Sequence, residues 1–176
     1  NQYREVKRIR STSRLSAGMG IQKFLQPQSI RRTIRALKAF QKIYSQYPNL
    51  KIISLATAAV RQARNRKGFL NQVKRQLGIH VRVLSGTQEA TYDYLGVKDQ
   101  IKALRYLVMD VGGGSIELIS VDEELRNAVS LPLGGASLSE TYHLNDVVSG
   151  ESLFLAENNL ANQFNQLPWL NRLRRI

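Results

Sequence analysis

Apolar and polar side chains alternate along Tyr3-Arg-Glu-Val-Lys-Arg-Ile-Arg10, which predicts a half-buried opening strand. The period then changes. From Ser29 onward, apolar residues recur at Ile30, Ile34, Leu37 and Ile43 or Tyr44, the spacing of one helical face. Ser29 supplies an N-cap and Pro48-Asn49 a stop, so a helix to about Tyr47 is expected. Gly18 and Gly20, before it, mark a loop. Lys51–Ala56 is short and β-branched in its middle and predicts a strand. Helical spacing follows over 57–65 and 67–77, the second stretch closed by Gly78 at a C-cap position. Val81–Leu84 predicts a strand, Gln88–Leu95 a helix, and Tyr106–Val111 a buried strand. Ser115–Val121 returns as another strand, Asn127–Leu133 adds a further one, and helices over 137–144 and 150–166 complete the pattern.

Strands alternating with helices argue for an α/β fold. The return of the chain after Gly112-Gly-Gly114 makes a hairpin, so the expected sheet is mixed rather than purely parallel. That arrangement fits a ribonuclease-H-like, actin-like ATPase architecture with flanking helices better than a Rossmann sheet.

Charge sharpens the picture. The chain has 176 residues and a net charge of +13. Residues 1–82 hold 19 of the 26 cations and a single acid, Glu5; residues 83–176 hold 12 of the 13 acids. A basic front half joined to an acid-bearing back half suits a polyanion handled by carboxylates, through a metal. The absence of cysteine excludes a disulfide framework, a thiolate zinc site and a cysteine nucleophile. No apolar run is long enough to span a bilayer, and no leader pattern opens the chain, so cytoplasm is the expected location and no membrane partner is expected.

Three segments can carry chemistry. In Asp110-Val-Gly-Gly-Gly-Ser-Ile-Glu117, consecutive glycines let the main chain approach a ligand, and their N–H groups in a tight turn form a concave nest for an anion. If the loop comprises Gly112–Ser115, antiparallel pairing sets Asp110 opposite Glu117 on one face. A plain glycine hairpin with a solvated Glu is the alternative. In Ser54-Leu-Ala-Thr-Ala-Ala-Val-Arg-Gln-Ala-Arg-Asn65, a helix from Thr57 would bring N–H donors to a strand end, with Arg61 one turn on; the alternative is a capping Thr and a solvated Arg. In Leu84-Ser-Gly-Thr-Gln-Glu-Ala90, Glu89 lies in the first turn of a helix, where a carboxylate also simply complements the helix dipole. His80 and His143 stand alone.

Together these segments resemble the exopolyphosphatase and guanosine pentaphosphate phosphohydrolase family (Ppx/GppA). Asp110–Leu118 matches D-[IV]-G-G-G-S-T-E-L, Thr57–Asn65 matches T-x-x-[LV]-R-x-A-x-N, and Ser85–Ala90 with Gly96-Val97 matches S-G-x-E-E-A followed by G-V. Leu131-Pro-Leu-Gly134 resembles the element after the glycine hairpin. Two positions depart: Ile116 replaces the hairpin Thr, and Gln88 the first Glu of the E-E pair. The resemblance implies hydrolysis of terminal phosphoanhydride bonds with Mg²⁺ or Mn²⁺. Glu89 falls on the family's catalytic base, Asp110 and Glu117 on its metal-handling acids, and Arg61 on a phosphate ligand, beside the phosphate-binding Gly112, Gly113, Gly114 and Ser115. It also implies that residues 1–176 are most of a first actin-like lobe, with the first phosphate loop and a second lobe outside them. It leaves a homodimer of the full-length protein open.

Inorganic polyphosphate is the expected substrate, because a long run of cations exceeds what one nucleotide needs; guanosine pentaphosphate is the alternative. Arg31, Arg32 and Arg35, with Lys38 and Lys42, lie on one helix as a candidate polyanion track, since like charges at i,i+4 repel without an anionic partner. A non-catalytic polyanion-binding or nucleic-acid-binding module is a further alternative. No zinc finger, basic zipper or RNP-type motif is present, and the acids after residue 82 argue against nucleic acid. The segment Phe164–Ile176 predicts a connecting helix, with Trp169 anchored on a surface outside the chain.

Overall fold

The first helix begins earlier than its apolar stripe implies. Helix α1 (Pro27–Tyr44) starts at a proline, which has no N–H to leave unsatisfied and whose ring presets the first helical turn. Gln26 is the N-cap; Ser29 is buried inside the helix, where its hydroxyl accepts a hydrogen bond from Arg32 at 2.9 Å. The computed structural model describes residues 4–145 and 147–173. Residues 4–10 form no strand despite their alternation, because among the described residues no neighbouring strand offers them a ladder; Tyr3 lies outside the described residues.

Strand β1 is confined to Ser54–Ala56, the stretch that pairs in parallel with β2 (Val81–Val83), while residues 51–53 are irregular and exposed. Between them lie α2 (Ala58–Gln62) and α3 (Arg66–Leu77), the latter closed by Gly78 in the left-handed conformation, φ 67°. Helix α4 (Gly86–Val97) opens with a reciprocal capping box between Ser85 and Gln88, so the Gln that departs from the E-E pair is used to start the helix. A separate antiparallel sheet, β3 (Arg105–Val111), β4 (Ile116–Asp122) and β5 (Glu124–Leu131), follows. Parallel and antiparallel pairings thus both occur, divided between two small sheets. Strand β5 begins three residues before the expected start and stops before Pro132, which cannot donate to a ladder. Helices α5 (Gly135–Thr141), α6 (Gly150–Asn165) and α7 (Pro168–Leu173) end the described chain.

Three apolar clusters hold these elements. Met19, Leu25, Ile34, Val60, Phe69 and Val73 join α1, α2 and α3. Ala90 of α4 packs on Ile119 and Val121 from one face of β4. From the other face, Ile116, Leu118 and Leu131 meet Leu160, Phe164, Trp169 and Leu170 of α6 and α7. Strand β4 is therefore covered on both sides, which accounts for its unbroken burial from Ile116 to Val121. Trp169 anchors on this chain's own sheet, correcting the expectation that its partner lies elsewhere.

Candidate functional site

The hairpin register decides the geometry. Val111 pairs with Ile116 and Asp110 with Glu117, so the loop is Gly112–Ser115, closed by a 2.9 Å bond from the Gly112 N–H to the Ser115 carbonyl. Glu117 is 1% exposed, and its register partner on β5, Ser130, donates its hydroxyl to Oε1 at 2.6 Å.

Arg61, from α2, joins the hairpin to α4. One guanidinium nitrogen donates to Glu89 Oε2 at 2.6 Å and to the Leu84 carbonyl at 3.2 Å; the other donates to Ser130 Oγ at 3.1 Å. Glu89, Arg61, Ser130 and Glu117 thus form one hydrogen-bonded chain across four elements, α4, α2, β5 and β4. The sequence reading of Arg61 was a phosphate ligand or a solvated side chain; in the structure it is half-buried and paired with Glu89. Its neighbour Gln62 meets the turn instead, donating Nε2 to the Gly114 carbonyl at 2.9 Å. Ala58, the first residue of α2, is buried against that turn.

The glycine turn is held by its carbonyls. Gly135 N–H donates to the Gly112 oxygen at 2.9 Å and Ser137 N–H to the Gly113 oxygen at 3.0 Å. Among the described residues, no acceptor meets the N–H groups of Gly113 and Gly114, so both remain free to donate. Two glycines that composition does not single out make this packing feasible. A Cβ on Gly134 would lie 2.5 Å from Gly113 C and Gly114 N, and one on Gly86 would lie 2.5 Å from Ser130 Cβ.

Asp93, one helical turn after Glu89 on α4, was not anticipated. Carboxylate oxygens of Asp93, Asp110 and Glu117 lie within 4.8 Å of one another. Burial pushes the Asp93 carboxyl up to about 6, with Asp110, Glu117 and Glu89 adding to the rise. Burial also raises Glu117, against hydrogen bonds from the Ser130 and Ser115 hydroxyls and together with Glu89 and Asp110. Three convergent hard oxygen donors with surplus negative charge fit Mg²⁺ or Mn²⁺, whose ligands stand about 2.0–2.2 Å from the ion; softer ions find no thiolate in this chain.

The sign of the pH dependence follows. Because Asp93 is raised in the folded state, the native protein binds more protons than the unfolded chain between the ordinary carboxylate value, 3.8, and about 6. In chelator, this group's contribution to stability is fully present below 3.8 and is lost as pH rises through about 6. The melting temperature of Asp93→Asn should therefore gain on wild type at pH 7.5 in chelator and gain less at pH 5. Equal differences at the two pH values would show that Asp93 is not strained by its charge.

The candidate track is divided. Arg31 and Arg35 are exposed and line a groove with Lys38, Gln72 and Gln76, whereas Arg32 is half-buried and donates to the Ser13 carbonyl at 3.1 Å. That groove shares no lining residue with the two cavities that reach Gly113 and Gly114.

With this geometry in place, the relatives can be compared. The sequence profile of the Ppx/GppA phosphatase family matches residues 2–174. Over 154 residues the chain is 30% identical to a bifunctional 3-dehydroquinate synthase/phosphatase of Fusobacterium nucleatum, covering 81% of this chain and 22% of that protein. It is 34% identical over 114 residues to exopolyphosphatase 1 of Mycobacterium leprae, covering 63% of this chain and 34% of that protein. Among solved structures, an exopolyphosphatase from Cytophaga hutchinsonii superposes with a TM-score of 0.80 at 26% identity, over 86% of this chain and 50% of that one. An Aquifex aeolicus Ppx/GppA family member superposes with a TM-score of 0.64 at 30% identity, over 88% and 51%. The chain spans about a fifth and about a third of the length of these two curated relatives and about half of these solved chains. It belongs to the Ppx/GppA phosphatase family and has the ribonuclease-H-like, actin-like α/β fold expected from its sequence.

Proposed function

We propose that this family member is an exopolyphosphatase that hydrolyses terminal phosphoanhydride bonds of inorganic polyphosphate, with Glu89 as general base. The observation that carries the reading is the hydrogen-bonded chain from Glu89 through Arg61 and Ser130 to Glu117, which ties the three family motifs into one site. The terminal phosphoryl group sits on the free N–H groups of Gly113 and Gly114. Arg61 exchanges its bond to Glu89 for a phosphate oxygen, a charge-assisted contact of the same kind. Glu89, released, accepts a proton from the water aligned behind phosphorus. Asp110 and Glu117 would hold a divalent ion, which when bound would supply neutralisation of the charge on the transferring group.

Polyphosphate is favoured over guanosine pentaphosphate by the excess of cations in residues 1–82, more than one nucleotide needs. Phosphate release by the full-length protein from each substrate with Mg²⁺ tests the reading. Polyphosphate turnover no greater than that of a Glu89→Gln control would overturn it, and faster turnover of guanosine pentaphosphate would reassign the substrate.

The exposed Arg31 and Arg35 belong to the proposed polyanion track, and Arg32 contributes by holding the helix to the Ser13 loop. Replacing Arg31 and Arg35 by Gln should weaken long-chain polyphosphate binding and reduce the slope of log affinity against log salt by up to about 2, by counterion release. Turnover of a very short chain should hardly change. An unchanged salt slope would remove this groove from the track.

A further inference from the structure

We propose that Asp93 is a third carboxylate ligand of the divalent cation, an inference that rests on the reading of Asp110 and Glu117 as its metal-handling acids. Asp93 lies in none of the positions that define the family motifs, and its role comes from the structure alone. The three side chains arrive from different elements, α4, β3 and β4, yet bring one oxygen each within 4.8 Å of the others. Ligands at about 2.1 Å on an octahedral ion stand roughly 3 Å apart when adjacent and roughly 4.2 Å apart when opposite. The spacing therefore asks for only a small closure around a cation.

A second observation concerns Asp93 itself. Its Oδ2 is buried and has no hydrogen-bond partner among the described residues. A carboxylate oxygen withdrawn from water needs a compensating donor or cation. The charged groups that face Asp93 are Asp110, Glu117 and Glu89, all acids. The cation of the site, Arg61, is committed to Glu89, Ser130 and the Leu84 carbonyl. Glu89 and Asp93, at i and i+4 on α4, would also repel each other on a bare helix. A divalent ion between Asp93, Asp110 and Glu117 answers all of these at once. It also separates the roles along α4: Glu89 binds Arg61 and handles a proton, while Asp93 holds metal.

The test is Mn²⁺ binding at pH 7.5, with no substrate present, followed by calorimetry and by the spin-resonance signal of free Mn²⁺. Wild type, Asp93→Asn, Asp93→Ser, Asp110→Asn and Glu117→Gln are compared, each with its circular dichroism spectrum. Asp93→Asn and Asp93→Ser should lower Mn²⁺ affinity ~10-fold or more. They should also lose most of the rise in melting temperature that Mn²⁺ gives wild type. Wild-type Mn²⁺ affinity in both Asp93 variants, with affinity lost in Asp110→Asn and Glu117→Gln, would overturn the role of Asp93 and leave the metal reading standing. No Mn²⁺ binding by wild type, or unchanged affinity in Asp110→Asn and Glu117→Gln, would overturn the metal reading and this inference with it.

Discussion

Glu89→Gln is expected to lower polyphosphate hydrolysis by about 10²–10⁴-fold while leaving polyphosphate affinity unchanged or somewhat raised. A general base contributes chiefly in the transition state, so its loss falls on turnover rather than on ground-state binding. The structure adds a reason for the affinity to rise. Glu89 holds Arg61 at 2.6 Å, and in the resting protein that bond competes with phosphate for the same guanidinium. A neutral Gln keeps the shape of the side chain but gives up the charge, so Arg61 becomes more available to an anion. Single-turnover rates and calorimetric affinities for one polyphosphate length separate the two effects. If affinity falls as far as rate, Glu89 acts as a structural or metal-binding residue and the assignment as base fails. Arg61→Lys serves as the counterpart: it keeps a cation but loses the forked donor set that reaches Glu89, Leu84 and Ser130 together, so both affinity and rate should drop.

The hairpin was legible because its geometry is local. A four-residue loop and a period of two place Asp110 opposite Glu117 with no knowledge of the rest of the chain. Gly78 was legible for the same reason, since a C-cap is read within one turn, whereas the N-cap of α4 at Ser85 was not read and Ser29, read as a cap, lies inside α1. Asp93 was not. Its role depends on which face of α4 meets the sheet, and α4 carries Tyr92 and Leu95 exposed, so its apolar residues do not declare that face. The bond from Arg61 to Glu89 was not read, because Glu89 lies 28 residues away and only the tertiary packing brings the two together. The opening alternation misled in the opposite way: residues 4–10 have the pattern of a strand, but a strand also needs a neighbour. What local chemistry determines was therefore readable, and what a tertiary partner determines was not.

Gly134→Ala should disable the site without replacing any residue that contacts substrate. Gly134 is extended, φ −153° and ψ 168°, a conformation open to any residue, so the demand for glycine is one of space. An added Cβ would lie 2.5 Å from Gly113 C, 2.5 Å from Gly114 N and 2.6 Å from the Gly112 oxygen. All three are main-chain atoms of the turn and cannot swing aside as a side chain can. The turn must shift, and the bonds from Gly135 and Ser137 to the Gly112 and Gly113 carbonyls must lengthen with it. The free N–H groups of Gly113 and Gly114 would then no longer converge on one phosphoryl group, and overpacking of this kind costs about 1–3 kcal/mol of stability. Phosphate affinity should fall at least ~10-fold alongside a lowered melting temperature. Gly150→Ala is the control, since a Cβ there meets nothing within 4 Å and should leave both measurements near wild type. A Gly134→Ala protein that binds phosphate normally would mean that the turn tolerates displacement, and that its amides do not form the anion seat.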